Sequence, residues 1–207
     1  MSVPWLSVVL PTAARRHADL HRTLRSITEQ LDPSVEVVLV ADTHGATDRQ
    51  RFDVLRDEVE SLGLAVRWLE HDGGVNCYGQ PQRSFGARQA HGEWVAFSQD
   101  DNILAEHAFR KIWMALCQEP HKRPLFFRAI TPWRDFVWRT PQLVIANIDA
   151  DCLVFPRAIA QQVTWGLRYE GDFDAAVHAA QLAEGDIGWR DETIATARPD
   201  QEHVWWQ

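Results

Sequence analysis

Three cysteines in 207 residues (Cys77, Cys117 and Cys152) are too few and too scattered for a disulfide framework. None stands in a C-x-x-C pair, so a structural zinc site is not indicated either, and a reducing, cytoplasmic setting fits best. Positive charge is also short. The 21 Lys and Arg face 29 Asp and Glu, a net charge of −8, which argues against holding nucleic acid by bulk charge. No stretch approaches the ~18 apolar residues of a membrane span. Met1 to Trp5 carries no basic run leading into an apolar one, so no signal peptide is expected there. No Pro/Gly/Ser-rich linker divides the chain, and there is no internal repeat. Also missing are the G-x-x-x-x-G-K-[ST] loop, G-x-G-x-x-G after the first apolar run, H-E-x-x-H and G-x-S-x-G. P-loop enzymes, ordinary dinucleotide enzymes, zincins and α/β-hydrolases therefore lose support.

What is present is an ordinary globular composition, 45% hydrophobic and 24% charged, enough for one well-buried core. The front half alternates two periodicities. Leu6 to Leu10 is an apolar, β-branched run ended by Pro11, which predicts a buried strand. Leu20, Leu24, Ile27 and Leu31 recur at helical spacing. Val35 to Val40 predicts a second strand. Phe52, Leu55, Val59 and Leu62 mark a second helix with Gly63 as its stop. Ala65 to Leu69 and Trp94 to Phe97 predict two further strands, separated by a Gly/Asn/Pro-rich loop and a short helix from Arg83 to His91. Strands alternating with helices imply parallel pairing and right-handed crossovers.

The second half is less regular. A helical stripe runs through Ala108, Ile112, Trp113 and Leu116. Leu125 to Ile130 and Leu143 to Ile148 predict strands around a turn holding Trp133 and Trp138. Cys152 to Phe155 is another apolar run, closed by Pro156 at the start of a helix. Asp174 to Ala183 is Ala-rich and helical, and no strong period follows Gly188. The expectation is one domain over 1–207, with an open, mostly parallel sheet flanked by helices. Residues 1–103 would form a nucleotide-binding half and 104–207 a half that binds something else.

In an open α/β sheet, ligands bind beyond the carboxyl ends of the strands. Those ends carry Pro11-Thr12, Asp42, His71-Asp72 and Ser98-Gln99-Asp100-Asp101-Asn102. Adjacent acids repel, and a cation is a common reason to place them together. Hard oxygens suit Mg²⁺ or Mn²⁺, which take one or two carboxylates plus substrate phosphates. Asp100-Asp101-Asn102 would equally well cap a following helix. His17 and His21 have metal-pair spacing but lie on a polar helix face, and are read as solvated. Ten tryptophans are many. Most should be core, while Trp133, Trp138 and Trp165 are candidate stacking platforms in the second half.

Four segments in order, Ser7–Thr12, Val38–Asp48, Gly86–Phe97 and Ser98–Asp101, resemble the family 2 glycosyltransferases of the GT-A fold. The resemblance is good over roughly residues 5 to 105 and loose beyond. It implies a GT-A-like α/β fold and transfer of a sugar from a nucleotide-sugar donor, with Mn²⁺ or Mg²⁺ as cofactor. By resemblance, Pro11, Thr12, Asp42 and Arg88 approach the nucleotide, Asp100 joins them, and Asp101 holds the metal with His203 completing its shell. The catalytic base falls on Asp172, within Tyr169-Glu170-Gly171-Asp172-Phe173-Asp174, where Asp174 and Glu170 are the alternatives and a plain helix cap is the structural reading. Two departures stand out. Gln99 occupies a position often acidic in the family, and His44 replaces a common second acid, leaving the donor base open. The implied acceptor is soluble: a glycan, a small molecule, a protein or a modified nucleic acid. A sugar nucleotidyltransferase, or a non-catalytic nucleotide-sugar binder, is the competing reading.

Overall fold

The computed structural model describes residues 3–13, 17–30, 32–44, 49–61, 66–74, 77–119, 121–131 and 136–199. Gly63, Trp133 and His203 lie outside them. Four parallel strands open the sheet: β1 (Leu6–Thr12), β2 (Val35–Asp42), β3 (Val66–His71) and β4 (Trp94–Phe97) stand in the order β3-β2-β1-β4. Successive side chains point to opposite faces, and both faces of β1, β2 and β4 are largely buried, so these strands are mostly apolar. In β1, Leu6, Val8 and Leu10 enter one core with Leu20 and Leu24 of helix α1 (His17–Thr28) and Leu55 and Val59 of α2 (Arg49–Ser61). Val9 enters the opposite core with Ala87 of α3 (Gln80–Gln89) and with Ala175, Ala176 and Ala179 of α6 (Gly171–Leu182). Both faces of the strand are covered, so neither needs polar residues. Removing one such fully buried side chain, for instance Leu24→Ala, would cost ~2–5 kcal/mol.

The second half continues the same sheet in a different way. Strand β7 (Leu153–Pro156) pairs antiparallel with β4, placing Ala96 opposite Val154. Beyond it come β6 (Leu125–Ile130), then β8 (Gly188–Ala197), then β5 (Asn102–Leu104) at the edge. Helices α4 (Ala108–Cys117) and α5 (Arg157–Ala160) complete the layers.

Two expectations for this half fail. Residues 143–148 form no strand. Val144 and Ile145 point to solvent, and Ala146 takes a left-handed φ of 66°, which breaks an extended run. The stretch from Gly188, by contrast, is a ten-residue strand. Its pairing with β6 shifts register on both sides of Arg128, so the alternation that would have marked it in the sequence is lost.

Candidate active site

Two adjoining clefts open at the carboxyl ends of β1, β2 and β4, about 380 and 400 Å³ in volume. The first is lined by Pro11, Thr12, Asp42 and His44, and the second by Asp101, Asp149, Glu170, Asp172 and Arg198; Tyr78, Arg83, Gln99 and Asp100 belong to both. Parallel pairing makes the first cleft. Val9 lies beside Phe97, so the last residues of β1 emerge beside the residues that follow β4. Thr12 Oγ1 donates to Asp100 Oδ2 at 2.8 Å across that junction. Asp42, at the end of β2, accepts the backbone N–H groups of His44 (3.0 Å) and Gly73 (3.3 Å). It holds two loops in place while remaining partly open to the cleft.

Asp100-Asp101-Asn102 caps no helix. It runs into β5, and the next helix starts only at Ala108, after His107. Asp101 is buried and ion-paired with Arg198 Nε at 3.0 Å. The carboxamide of Asn102 accepts the Arg198 backbone N–H at 2.9 Å, where the chain adopts a left-handed φ of 44°.

Arg88 is not among the cleft residues. It is exposed on the last turn of α3, where its carbonyl meets Gln161. The arginine that α3 turns inward is Arg83. Packing sets this phase: a Cβ on Gly86 would come within 2.6 Å of Val9 and 2.9 Å of Val40, so the helix rests on the sheet at that glycine. Arg83 is then one turn nearer the strand ends. It is 2% exposed, donates to the Tyr78 carbonyl at 2.9 Å and to Gln80 at 3.3 Å, and lies 5.4 Å from the Trp165 ring. Its Nε has no hydrogen-bond partner. A buried guanidinium with an unanswered N–H, on the wall common to both clefts, suits an anion bridging them.

Antiparallel β7 makes the second cleft. Its amino end must lie beside the carboxyl end of β4, and the residues just before it are Asp149, Ala150 and Asp151. Gln99 Nε2 donates to Asp149 at 2.9 Å and to Asp151 at 3.4 Å; Ser98 Oγ donates to Asp151 at 2.9 Å, and Asn102 also donates to it. Burial, and then the charge of Asp149, push Asp151 well above the usual carboxylate range. The amide at position 99 thus answers acids carried by the neighbouring strand. Sequence reasoning missed these acids. An acidic D-x-D directly before an apolar run was the available signal, but only the direction of β7 brings it to the site.

Asp172 lies in the first turn of α6 and lines the second cleft. It caps nothing on its own helix: its carboxylate accepts Gln80 Nε2 at 3.1 Å and the Ala150 N–H at 3.3 Å. Burial raises its pKa to about 6, against the attraction of Arg83 and with the repulsion of Asp149. A helix N-terminus favours a charged carboxylate, but here desolvation outweighs it. Asp174 instead grips Arg168 through two contacts of 3.0 and 2.7 Å, outside the clefts, whereas Glu170 lines the same wall as Asp172. Trp138 and Trp165 are each 2% exposed, and Arg128 lies 4.5 Å from the Trp138 ring, so neither indole is an open platform.

Among the described residues, no group of three or more His, Cys, Asp or Glu side chains forms a metal cage. The donor chemistry nonetheless fits a hard cation. Five carboxylates (Asp100, Asp101, Asp149, Glu170, Asp172) line the second cleft against two arginines. A diphosphate entering that field gains from an added positive charge, and Mg²⁺-type ions use few protein carboxylates plus phosphate oxygens. Such an ion would compete with Arg198 for Asp101.

Residues 7–144 match the family model described as Glycosyl transferase family 2. A Haemophilus influenzae protein described as an uncharacterized glycosyltransferase is 26% identical over 116 residues, which is 56% of this chain and 36% of that protein. Among solved structures, S. aureus TarS 1-349 superposes with a TM-score of 0.69 at 17% identity, over 93% of this chain and 60% of that one. The mannosyltransferase PcManGT from Pyrobaculum calidifontis, in complex with GDP-Man and Mn²⁺, superposes with a TM-score of 0.67 at 18% identity, over 97% and 59%. These likenesses show the fold. The chain spans about a third of the length of the first relative and about 60% of the solved chains.

Proposed function

Because this chain belongs to glycosyl transferase family 2, we propose that it transfers a sugar from a nucleotide-sugar donor to an acceptor hydroxyl with inversion at the anomeric carbon. The observation that carries the reading is the pair of clefts meeting at Arg83, with adjacent carboxylates at the junction and an elevated carboxylate on the far wall. The nucleoside lies over Pro11, Thr12 and Asp42, in the half built from 1–103, and the diphosphate lies along Arg83 and Asp100. The sugar then projects into the second cleft, which the half from 104 onward largely builds. TarS has been solved with UDP-GlcNAc and the mannosyltransferase with GDP-Man, so uracil and guanine are the first bases to try.

The acceptor oxygen attacks the anomeric carbon as the bond to the diphosphate breaks. The electron pair leaves with the diphosphate and the proton passes to Asp172. A pKa of about 6 leaves this carboxylate ionised at neutral pH yet basic enough to draw the proton. Asp101, with Asp100 beside it and His203 from the segment that follows Arg198, would hold Mn²⁺ or Mg²⁺. When bound, the ion supplies positive charge to the departing diphosphate. Among the described residues no helix is long and apolar enough to cross a membrane. A cytoplasmic setting belongs to the same reading, since the three cysteines form no disulfide.

The test is a thermal-shift series with UDP, GDP, CDP and ADP, each with and without Mn²⁺. A nucleotide at one hundred times its Kd stabilises by about 2.7 kcal/mol, and the base that does so names the donor. The Mn²⁺ increment should vanish in Asp101→Ala. If none of the four nucleotides raises the midpoint, the reading fails; an unchanged Mn²⁺ increment in the variant would return Asp101 to a purely structural pairing with Arg198.

A further inference from the structure

The mouth of the second cleft is unlike its floor. Tyr78 and Tyr169 meet edge to face there, 5.7 Å between centroids and 83° between planes, and they are 58% and 68% exposed. Across the same cleft, Ile145 is 56% exposed. Folding does not leave two tyrosines and an isoleucine open on one rim to gain stability, since burying each would be favourable. The backbone is also unusual at two points of this rim. Tyr78 has a φ of 53° and Ala146 a φ of 66°, left-handed values that cost a non-glycine residue free energy and persist where the surroundings impose them. Tyr78 is kept in place by the Arg83 guanidinium on its carbonyl and by Gly79, whose own φ is 77°.

We propose that Tyr78 and Tyr169 form the platform on which the acceptor rests, and that the acceptor presents an uncharged pyranoside ring. The proposal rests on the transferase reading and names the acceptor class for the same cleft. Tyr169 stands three residues before Asp172, on the segment that leads into α6, so a ring lying on it sits at the entrance to the carboxylate that takes the proton. The lining combines flat apolar rings with carboxylates, namely Glu170, Asp149 and Asp172. A pyranoside matches both, with C–H faces for the tyrosines and hydroxyl edges for the carboxylates. An acceptor bearing phosphate or carboxylate meets like charge on the same wall. A linear polyol has hydroxyls but no face to stack.

Saturation-transfer NMR on the full chain tests this, using the methyl glycosides of glucose, galactose and mannose as probes. Ribitol serves as the ring-free control and methyl glucuronide as the anionic one. The expected result is stronger saturation of at least one neutral glycoside than of either control. That signal should fall to the ribitol level in Tyr169→Ala and survive in Tyr169→Phe, which keeps the ring and loses only the hydroxyl. A thermal midpoint for each variant confirms that it is folded. Equal signals for glycoside and ribitol, or an unchanged signal in Tyr169→Ala, overturn the platform. Nucleoside diphosphate binding by the wild-type protein is read separately: its absence would sink the transferase reading, whereas the tyrosine variants decide the platform alone.

Discussion

The two clefts share a wall but are built by different physics. The first is made by parallel strands that end together, so short backbone-linked segments supply Pro11, Thr12 and Asp42 in a fixed order along one sheet edge. Its polar groups largely hold one another and the loops, as Thr12 holds Asp100 and Asp42 holds His44 and Gly73. The second is made by an antiparallel strand, a helix start and an irregular loop, which converge from distant parts of the chain. Its carboxylates are crowded, and burial makes Asp172, on its wall, and Asp151, buried next to Asp149, bind protons more tightly than free acids do. In the proposed reading the first cleft holds the nucleotide still and the second carries the proton transfer. Arg83 is the cation common to both, donating to the Tyr78 carbonyl and electrostatically felt by Asp172.

That division can be tested by substitutions that should act on one side only. Asp172→Asn has the largest expected effect, a ~10²–10⁴-fold fall in single-turnover transfer with nucleotide affinity close to wild type. With Asp172 as the proposed base, the wild-type rate should fall tenfold per pH unit below about 6, where the carboxylate takes a proton, and level off above it. A flat profile through that range, or lost nucleotide binding in the variant, would erase the distinction between the clefts.

Arg83→Met comes next and should act on both sides. Affinity for the nucleoside diphosphate should drop ~10–100-fold by calorimetry while the bare nucleoside is affected far less, as expected for losing a charged hydrogen bond. The acid limb of the rate profile should also move to higher pH, since the guanidinium holds the Asp172 pKa down. A limb that stays in place would uncouple Arg83 from the second cleft. The smallest effect is expected from Asp42→Asn: roughly a tenfold loss of nucleotide affinity, confined to KM for the donor, from mispairing at a loop-holding acceptor. A change in kcat of the same size would show that the first cleft takes part in the chemistry.

Much of the first cleft is legible in the amino-acid sequence alone. Apolar runs at Leu6–Leu10, Val35–Val40 and Trp94–Phe97 alternate with helical stripes, and this dictates parallel pairing; the residues after each run then fall at one edge. Pro11, Thr12, Asp42 and Asp100 line the first cleft, and Asp100 and Asp101 the second. Arg88 and Arg83 could not be separated in this way, because a short helix with little amphipathic pattern does not announce which face meets the sheet. Gly86, which must touch it, was the available clue.

The remainder needed the fold. Local composition determines that a segment is extended or helical, since backbone sterics and side-chain period act within a few residues. The direction of β7, the register shifts that hide β8, and the burial of Trp138 and Trp165 against the exposure of Tyr78 and Tyr169 depend on segments far apart in the chain. Those relations are decided by how the two cores fill. Thus the chain's own order of strands and helices determined the sheet and the acids at its edge. Only packing decided that Asp149 and Asp151 face Gln99, that Arg198 reaches Asp101, and that Tyr78 and Tyr169 stay exposed while the candidate platforms Trp138 and Trp165 are buried.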